Sequence, residues 1–461
     1  MDTIWPPDFR AAAGPKYLVL IQSLRAAVRS GELTPGSRLP PVRELAWQLG
    51  ITPGTVARAY KMATEEGLID STVGRGSFVA GVAAPAPVVE DPLINTVQPE
   101  FLDFRACRGS DVGQGALIGE GLAKVGRELS NIDYPTAETD RCARQAVCDW
   151  IGQERAGRLT ADDIVLGLGA QNSVIMTLQA CLSGAAPVIL TEELAYPGMR
   201  HAARLLRAQI IGVAMDQHGI RPDRLEEALR QHGGQVLLTS AEVHSPTTIR
   251  TTPERRQEVA DIARRYQLQI IEDDCHCITQ PEAPSYRALC PERGWFVSSL
   301  SKVFSATLRF GYVACPSPMA QAARQVAQSS FYGLPQPILD LGCELLRSGE
   351  VERVRQEVIE SVANRVKTAV NILGRWDIRW RPDVPFIWLR LPQGWRGSSF
   401  AMACEARGIR IKPADEFALA DGAAPHAVRL ALNASVPEEA YESALKTMSH
   451  LLANPPAAVD L

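Results

Sequence analysis

The sequence has no apolar run long enough to cross a bilayer. Its longest stretches, such as Ala185–Leu190, fall far short of the ~20 residues that a membrane helix needs. The opening residues MDTIWPPD offer neither the basic nor the apolar segment of a secretory signal. The ten cysteines include no C-x-x-C pair, so reduced and mostly buried thiols are expected. No charge sign dominates, with 48 Lys and Arg against 52 Asp and Glu. No internal repeat or low-complexity tract breaks the chain. What remains is 461 residues at 46% hydrophobic and 22% charged, a composition that excludes disordered, collagen-like and coiled-coil proteins. The expectation is a cytoplasmic protein with no membrane segment.

The chain divides in two. Between Ala80 and Pro99 it reads AGVAAPAPVVEDPLINTVQP, where four prolines among small residues disfavour helix and strand. A semi-rigid linker is expected over 81–99. Before it, residues 1–80 carry nine Lys and Arg against seven Asp and Glu, a small positive excess that hints at an anionic partner.

That N-terminal part has a legible rhythm. Apolar residues from Leu18 to Val28 recur at helical spacing and stop at Ser30-Gly31. Pro40-Pro41 opens a second helix, Val42–Leu49, and Thr52-Pro53-Gly54 precedes a third, from Thr55 to Glu66. Leu68–Ser71 and Ser77–Ala80 read as strands around a tight Val73-Gly74-Arg75-Gly76 tip. Three helices and a two-stranded wing predict a winged helix-turn-helix. In that plan the third helix enters the major groove of DNA with Thr52, Thr55 and Arg58 near its start. Arg43 would reach a base edge or a phosphate, and Arg75 would set the wing on the backbone. Any one of these side chains alone is more simply a solvated polar group; the arrangement carries the inference.

The segment resembles the GntR winged-helix family through Gly36-Ser37-Arg38-Leu39-Pro40-Pro41-Val42-Arg43-Glu44-Leu45-Ala46, Thr55-Val56-x-Arg58-Ala59-Tyr60 and Glu66-Gly67-Leu68. The resemblance covers nearly all of residues 14–80. It departs at Pro53-Gly54, where relatives often place Arg-Asn or Arg-Thr, which implies a different operator.

From Ala161 onward short β-rich runs alternate with helical stretches. Ile164–Leu168, Pro187–Thr191, Gln209–Ala214, Gln235–Ser240, Leu268–Glu272 and Trp295–Ser299 predict buried strands. Gln171–Leu182, Met199–Ala208, Pro222–Gln231 and Pro253–Tyr266 predict the helices between them. Such alternation implies an α/β fold whose parallel sheet is covered on both faces. Ligands of such sheets bind at the carboxyl ends of the strands. There lie a Gly167-Leu168-Gly169-Ala170-Gln171 turn, Tyr196, the Glu272-Asp273-Asp274 acids, Ser299-Leu300-Ser301-Lys302 with Arg309 beyond, and Arg429 on a late strand. A lysine in such a serine cluster can form a Schiff base with an aldehyde. Arg309 and the serines suit a phosphate, and the planar fork of Arg429 suits a carboxylate. Taken singly, each is more simply structural, with Asp274 as a helix cap. Together and in this order they describe a site for pyridoxal 5′-phosphate. Cys275-His276-Cys277 cannot easily converge on one zinc, because neighbours on an extended strand alternate in direction; His276 is better placed to line the cofactor pocket.

Over roughly residues 100–450 the chain is similar to the fold-type I aminotransferases. The resemblance implies that Lys302 carries the cofactor as an internal aldimine, that Asp273 holds the pyridine nitrogen and that Tyr196 stacks on the ring. Ala170, Gln171, Ser299, Ser301 and Arg309 would surround the phosphate, and Arg429 would take the carboxylate of an amino-acid ligand. Tyr134 corresponds to a tyrosine that reaches the partner subunit's phosphate. Cys275 stands where relatives often have a tyrosine, and Ser245, in His244-Ser245-Pro246-Thr247, where they have an asparagine. Both positions touch the same cofactor oxygen, which puts efficient transamination in doubt.

A GntR winged helix at 1–80 joined by 81–99 to an aminotransferase-like unit at 100–461 resembles the MocR group of bacterial transcription regulators. The resemblance implies a homodimeric, operator-binding repressor that senses an amine or amino acid by forming an external aldimine. A narrower similarity, to MocR regulators of ectoine and hydroxyectoine breakdown, would make that effector a diaminobutyrate-type compound. The alternative is an aminotransferase with an accessory DNA-binding domain.

Overall fold

The computed structural model describes residues 16–65, 68–72, 76–80, 93, 98–129, 133–419 and 424–456. Almost all of the expected 81–99 linker lies outside the described residues, as do Gly67 and the hairpin residues 73–75 with Arg75. The chain separates into two compact units between Pro92 and Leu93.

In the first unit α1 (Lys16–Ser30), α2 (Val42–Gln48) and α3 (Pro53–Glu65) are followed by the antiparallel pair β1 (Ile69–Thr72) and β2 (Gly76–Val79). Helix α3 starts two residues earlier than the spacing predicts. Thr52, whose hydroxyl accepts from Thr55 N at 3.3 Å, stands before it, and Pro53 fits its first position. Leu20, Leu24, Leu45, Val56, Ala59 and Ile69 close a small core. The Tyr60 hydroxyl donates to the Pro40 carbonyl at 2.9 Å, tying α3 to the start of α2. Leu39 N and Val79 N donate bonds of 2.8 Å to the carbonyls of Ser77 and Ser37, so the wing is pinned to the segment before α2.

The second unit is built on seven strands: β3 (Ile164–Leu168), β4 (Val188–Glu192), β5 (Gln209–Val213), β6 (Val236–Thr239), β7 (Gln269–Asp273), β8 (Gly294–Ser299) and β9 (Phe310–Ala314). They lie in the order β3-β9-β8-β7-β6-β4-β5. All neighbours are parallel except β9, which runs antiparallel to both β8 and β3. The sheet is thus mainly parallel, as the alternation of elements predicts; β9 follows β8 with no crossover helix and therefore returns antiparallel.

Strand pleating explains the unbroken apolar runs. Ile189, Leu238 and Ile271 face one core, whereas their neighbours Leu190, Leu237 and Ile270 face another. Helices α4 (Arg141–Ile151), α5 (Gly169–Cys181), α6 (Pro197–Leu205), α7 (Pro222–His232), α8 (Pro253–Tyr266), α9 (Ala320–Phe331) and α10 (Gln336–Arg347) precede, separate or follow these strands. Helix α8 has the predicted bounds, because Thr252 caps it by accepting from Arg255 N and Pro253 fits its first position. A second sheet joins β10 (Ile378–Arg379), β11 (Phe386–Arg390), β12 (Lys412–Pro413) and β13 (Ala427–Ala431) in the order β10-β11-β13-β12.

The expectation of ten reduced thiols is corrected at one pair: Cys142 on α4 and Cys343 on α10 form a disulfide across 201 residues of sequence. Local spacing could not reveal it, because only the packing of α4 on α10 brings the two sulfurs together.

A lysine-centred site at the strand ends

The three acids that end β7 divide by the pleat. Glu272 and Asp274 lie on one side and Asp273 on the other. Arg256 pairs with Glu272 at 3.3 Å and with Glu242 at 2.7 Å, all three side chains being about 1% exposed. Asp274 pairs with Arg155; it caps no helix, which corrects that expectation. Asp273 has no ion-pair partner among the described residues; its Oδ1 accepts from Cys275 N at 3.2 Å. Burial pushes its carboxyl up, while the Cys275 bonds and the charge of Lys302 pull the other way. The arginines thus neutralise both neighbours and leave Asp273 ready for a cation.

Lys302 stands in the turn after β8, and its ammonium donates to the carbonyl of Cys107. Tyr196 precedes α6, and its phenol is pushed up to about 12 by burial and by the neighbouring Cys275 and Asp273. Gly198 lets this ring fold back: a Cβ there would overlap both Tyr196 and Gln171 Oε1. The Gln171 amide donates to the Gly198 carbonyl at 2.8 Å.

At the other end of this group, α5 begins with no side-chain cap on its first turn. Its free N–H groups are a ready anion site. Arg309, at φ +50°, donates from Nη2 to the Leu168 carbonyl at 2.9 Å. Gly169, at φ +82°, leaves the space that the guanidinium occupies; a Cβ there would overlap Nη2. Ser299 Oγ accepts from Ser301 N at 3.3 Å, which shapes the turn that presents Lys302.

Arg429 on β13 is 4% exposed, yet no carboxylate pairs with it among the described residues. Its Nη1 donates to Ser245 Oγ at 3.0 Å and its Nη2 to the Arg105 carbonyl. Phe386 and Phe417 flank it, with ring centres 5.4 and 4.9 Å from the guanidinium carbon. Its Nε is buried without a partner. A buried, unpaired cation is costly, and an anionic ligand removes that cost.

Lys302, Asp273, Tyr196, Gln171, Ser245 and Arg429 are therefore linked by contact or by mutual electrostatic influence. Tyr134 is not brought to them within one chain; it is 67% exposed and stacks on Tyr332 at 5.1 Å. In the first unit Arg43 and Arg58 are exposed, and Arg58 lies over the Tyr17 ring at 4.1 Å. The hydroxyls of Thr52 and Thr55 lie 2.9 Å apart at the start of α3.

Residues 123–448 match the family model for aminotransferase class I and II, and residues 16–79 that for bacterial regulatory proteins of the gntR family. The chain belongs to the aminotransferase class I and II family. With its gntR-family unit it is a transcription regulator that carries an aminotransferase-like domain. It is 28% identical over 457 residues to an uncharacterized HTH-type transcriptional regulator, YdeF, of Bacillus subtilis, covering 97% of this chain and 96% of YdeF. It is 24% identical to the HTH-type transcriptional regulator TauR of Rhodobacter capsulatus, over 86% of this chain and 88% of TauR. Among solved structures, an α-aminoadipate aminotransferase, LysN, from Thermus thermophilus matches with a TM-score of 0.67 at 22% identity, over 77% of this chain and 92% of that one. LysN was solved with N-(5′-phosphopyridoxyl)-L-leucine. The likeness shows a fold shared with aminotransferases.

Sequence reasoning missed Arg105 and Cys107, whose carbonyls hold Arg429 and Lys302. Any residue type supplies a carbonyl, so no sequence signal marks them.

Proposed function

We propose that this regulator binds pyridoxal 5′-phosphate in its larger unit and changes its hold on operator DNA when an amine or amino acid joins the cofactor. The observation that carries the reading is the sorting of the acids at the end of β7, which leaves Asp273 half-buried, unpaired with arginine and under the influence of Lys302. The uncapped first turn of α5 with Arg309 over Gly169 fits a phosphate, so the residues present suit the group.

The cofactor would supply an aldehyde carbon on which one primary amine can replace another. Lys302 would hold it, and Asp273 would keep a proton on its ring nitrogen. Tyr196 would cover the ring, with Ser245 beside it. Ala170, Gln171, Ser299, Ser301 and Arg309 would bind the phosphate, and Arg429 would bind the effector's carboxylate. Residues 1–80 would bind the operator through Arg43, Thr52, Thr55, Arg58 and Arg75, with 81–99 as linker and 100–461 as effector unit. The protein would act as a cytoplasmic, homodimeric repressor, with Tyr134 reaching the partner subunit. A diaminobutyrate-type effector meets the need for a primary amine.

Purified protein supplied with pyridoxal phosphate should show a visible absorption band that Lys302→Ala abolishes and that one amine shifts. A wild-type protein with no band, or a band unchanged in Lys302→Ala, would sink the reading.

A further inference from the structure

Among the described residues, two buried polar atoms without partners belong to the group around Lys302: Arg429 Nε and His276 Nδ1. Both side chains rest on Phe386. Arg429 lies over its face, and the His276 ring meets it edge-on with centroids 5.3 Å apart. A polar atom that has lost water and gained no partner costs about 1–3 kcal/mol, so an unpaired imidazole nitrogen beside a ligand site calls for a ligand atom.

We propose that His276 is a recognition residue for the effector: together with Arg429 it selects amines that carry a carboxylate over the same amines without one. This rests on the function proposed above. The terminal nitrogens of Arg429 already hold Ser245 and the Arg105 carbonyl, so the guanidinium is fixed between two aromatic rings with Nε–H still to give. Two of its five N–H groups are thus committed, and a carboxylate, with several lone pairs to satisfy, gains from a second polar neighbour. His276 supplies one. Burial, together with the charges of Lys302 and Arg429, drives its pKa well below the usual histidine range. The ring is thus neutral near pH 7, with one N–H and one lone pair whichever tautomer it takes. A neutral donor beside Arg429 accepts an anion without adding another cation to the site. A second ammonium at the same place would meet two positive charges and no carboxylate.

The test uses full-length protein loaded with pyridoxal phosphate and follows the visible band during titration. The probes are two matched pairs, L-2,4-diaminobutyrate with 1,3-diaminopropane and L-alanine with ethylamine. Wild type should prefer the acid in at least one pair. His276→Phe, which keeps an aromatic ring against Phe386, should reduce that preference by about tenfold, the scale of one hydrogen bond to a charged group. His276→Gln, which keeps a neutral donor and acceptor, should retain most of it. An equal preference in wild type and His276→Phe would show that the ring serves packing only and would overturn the proposal. So would equal losses in the Phe and Gln variants, or no acid preference in wild type. Absence of the band in wild type would instead remove the cofactor reading, and this inference with it.

Discussion

At the scale of single residues, the site depends on what is withheld as much as on what is present. Gly169 is the clearest case. Its φ of +82° disfavours any side chain, and a Cβ would meet the Arg309 guanidinium. Gly169→Ala should leave the fold intact by circular dichroism and release pyridoxal phosphate during dialysis that wild type survives; full retention would contradict the phosphate assignment. Arg256 is the opposite case, a buried cation held by two buried glutamates. Arg256→Ala leaves Glu272 without its ion-pair partner, whereas Glu242 keeps Arg250 at 2.6 Å, and should lower stability in urea by about 3–5 kcal/mol. Lys302, Asp273, Arg309 and Arg429 could be singled out in the sequence, because few residue types can do the chemistry proposed for them. The carbonyls of Arg105 and Cys107 were not, and neither was the pairing of Arg155 with Asp274, since 119 residues separate the partners.

At the scale of elements, the apolar runs located six of the seven strands of the large sheet, because most of them are buried on both faces and therefore nearly uniformly apolar; only the edge strand β5 is largely open. They did not single out β9 (Phe310–Ala314), nor show that this strand returns antiparallel, since direction depends on connection rather than composition. The disulfide between α4 and α10 belongs to the same class of feature. Cys142 is exposed while Cys343 is buried, so a small thiol reductant has access from one side. The bond closes a long loop, which constrains the unfolded chain. Reduction, or Cys142→Ser, should cost about 2–4 kcal/mol in the larger unit and lower its thermal midpoint. An unchanged midpoint after complete reduction, checked by thiol counting, would show that the packing of α4 on α10 suffices.

At the scale of the whole molecule, one chain joins a unit built to meet DNA with a unit built to hold a small amine. Arg43→Ala and Arg58→Ala should each weaken DNA binding and flatten its dependence on salt, by about one unit of slope for each DNA phosphate left without its arginine. Coupling between the units requires the effector to bind one DNA-binding state better than the other. The most direct measurement is the affinity of full-length protein for DNA from upstream of its own gene, with and without an amine that shifts the absorption band, in wild type and in Lys302→Ala. The amine should change wild-type affinity several-fold and leave that of Lys302→Ala unchanged. An equal response in both proteins, or none in wild type, would contradict this coupling.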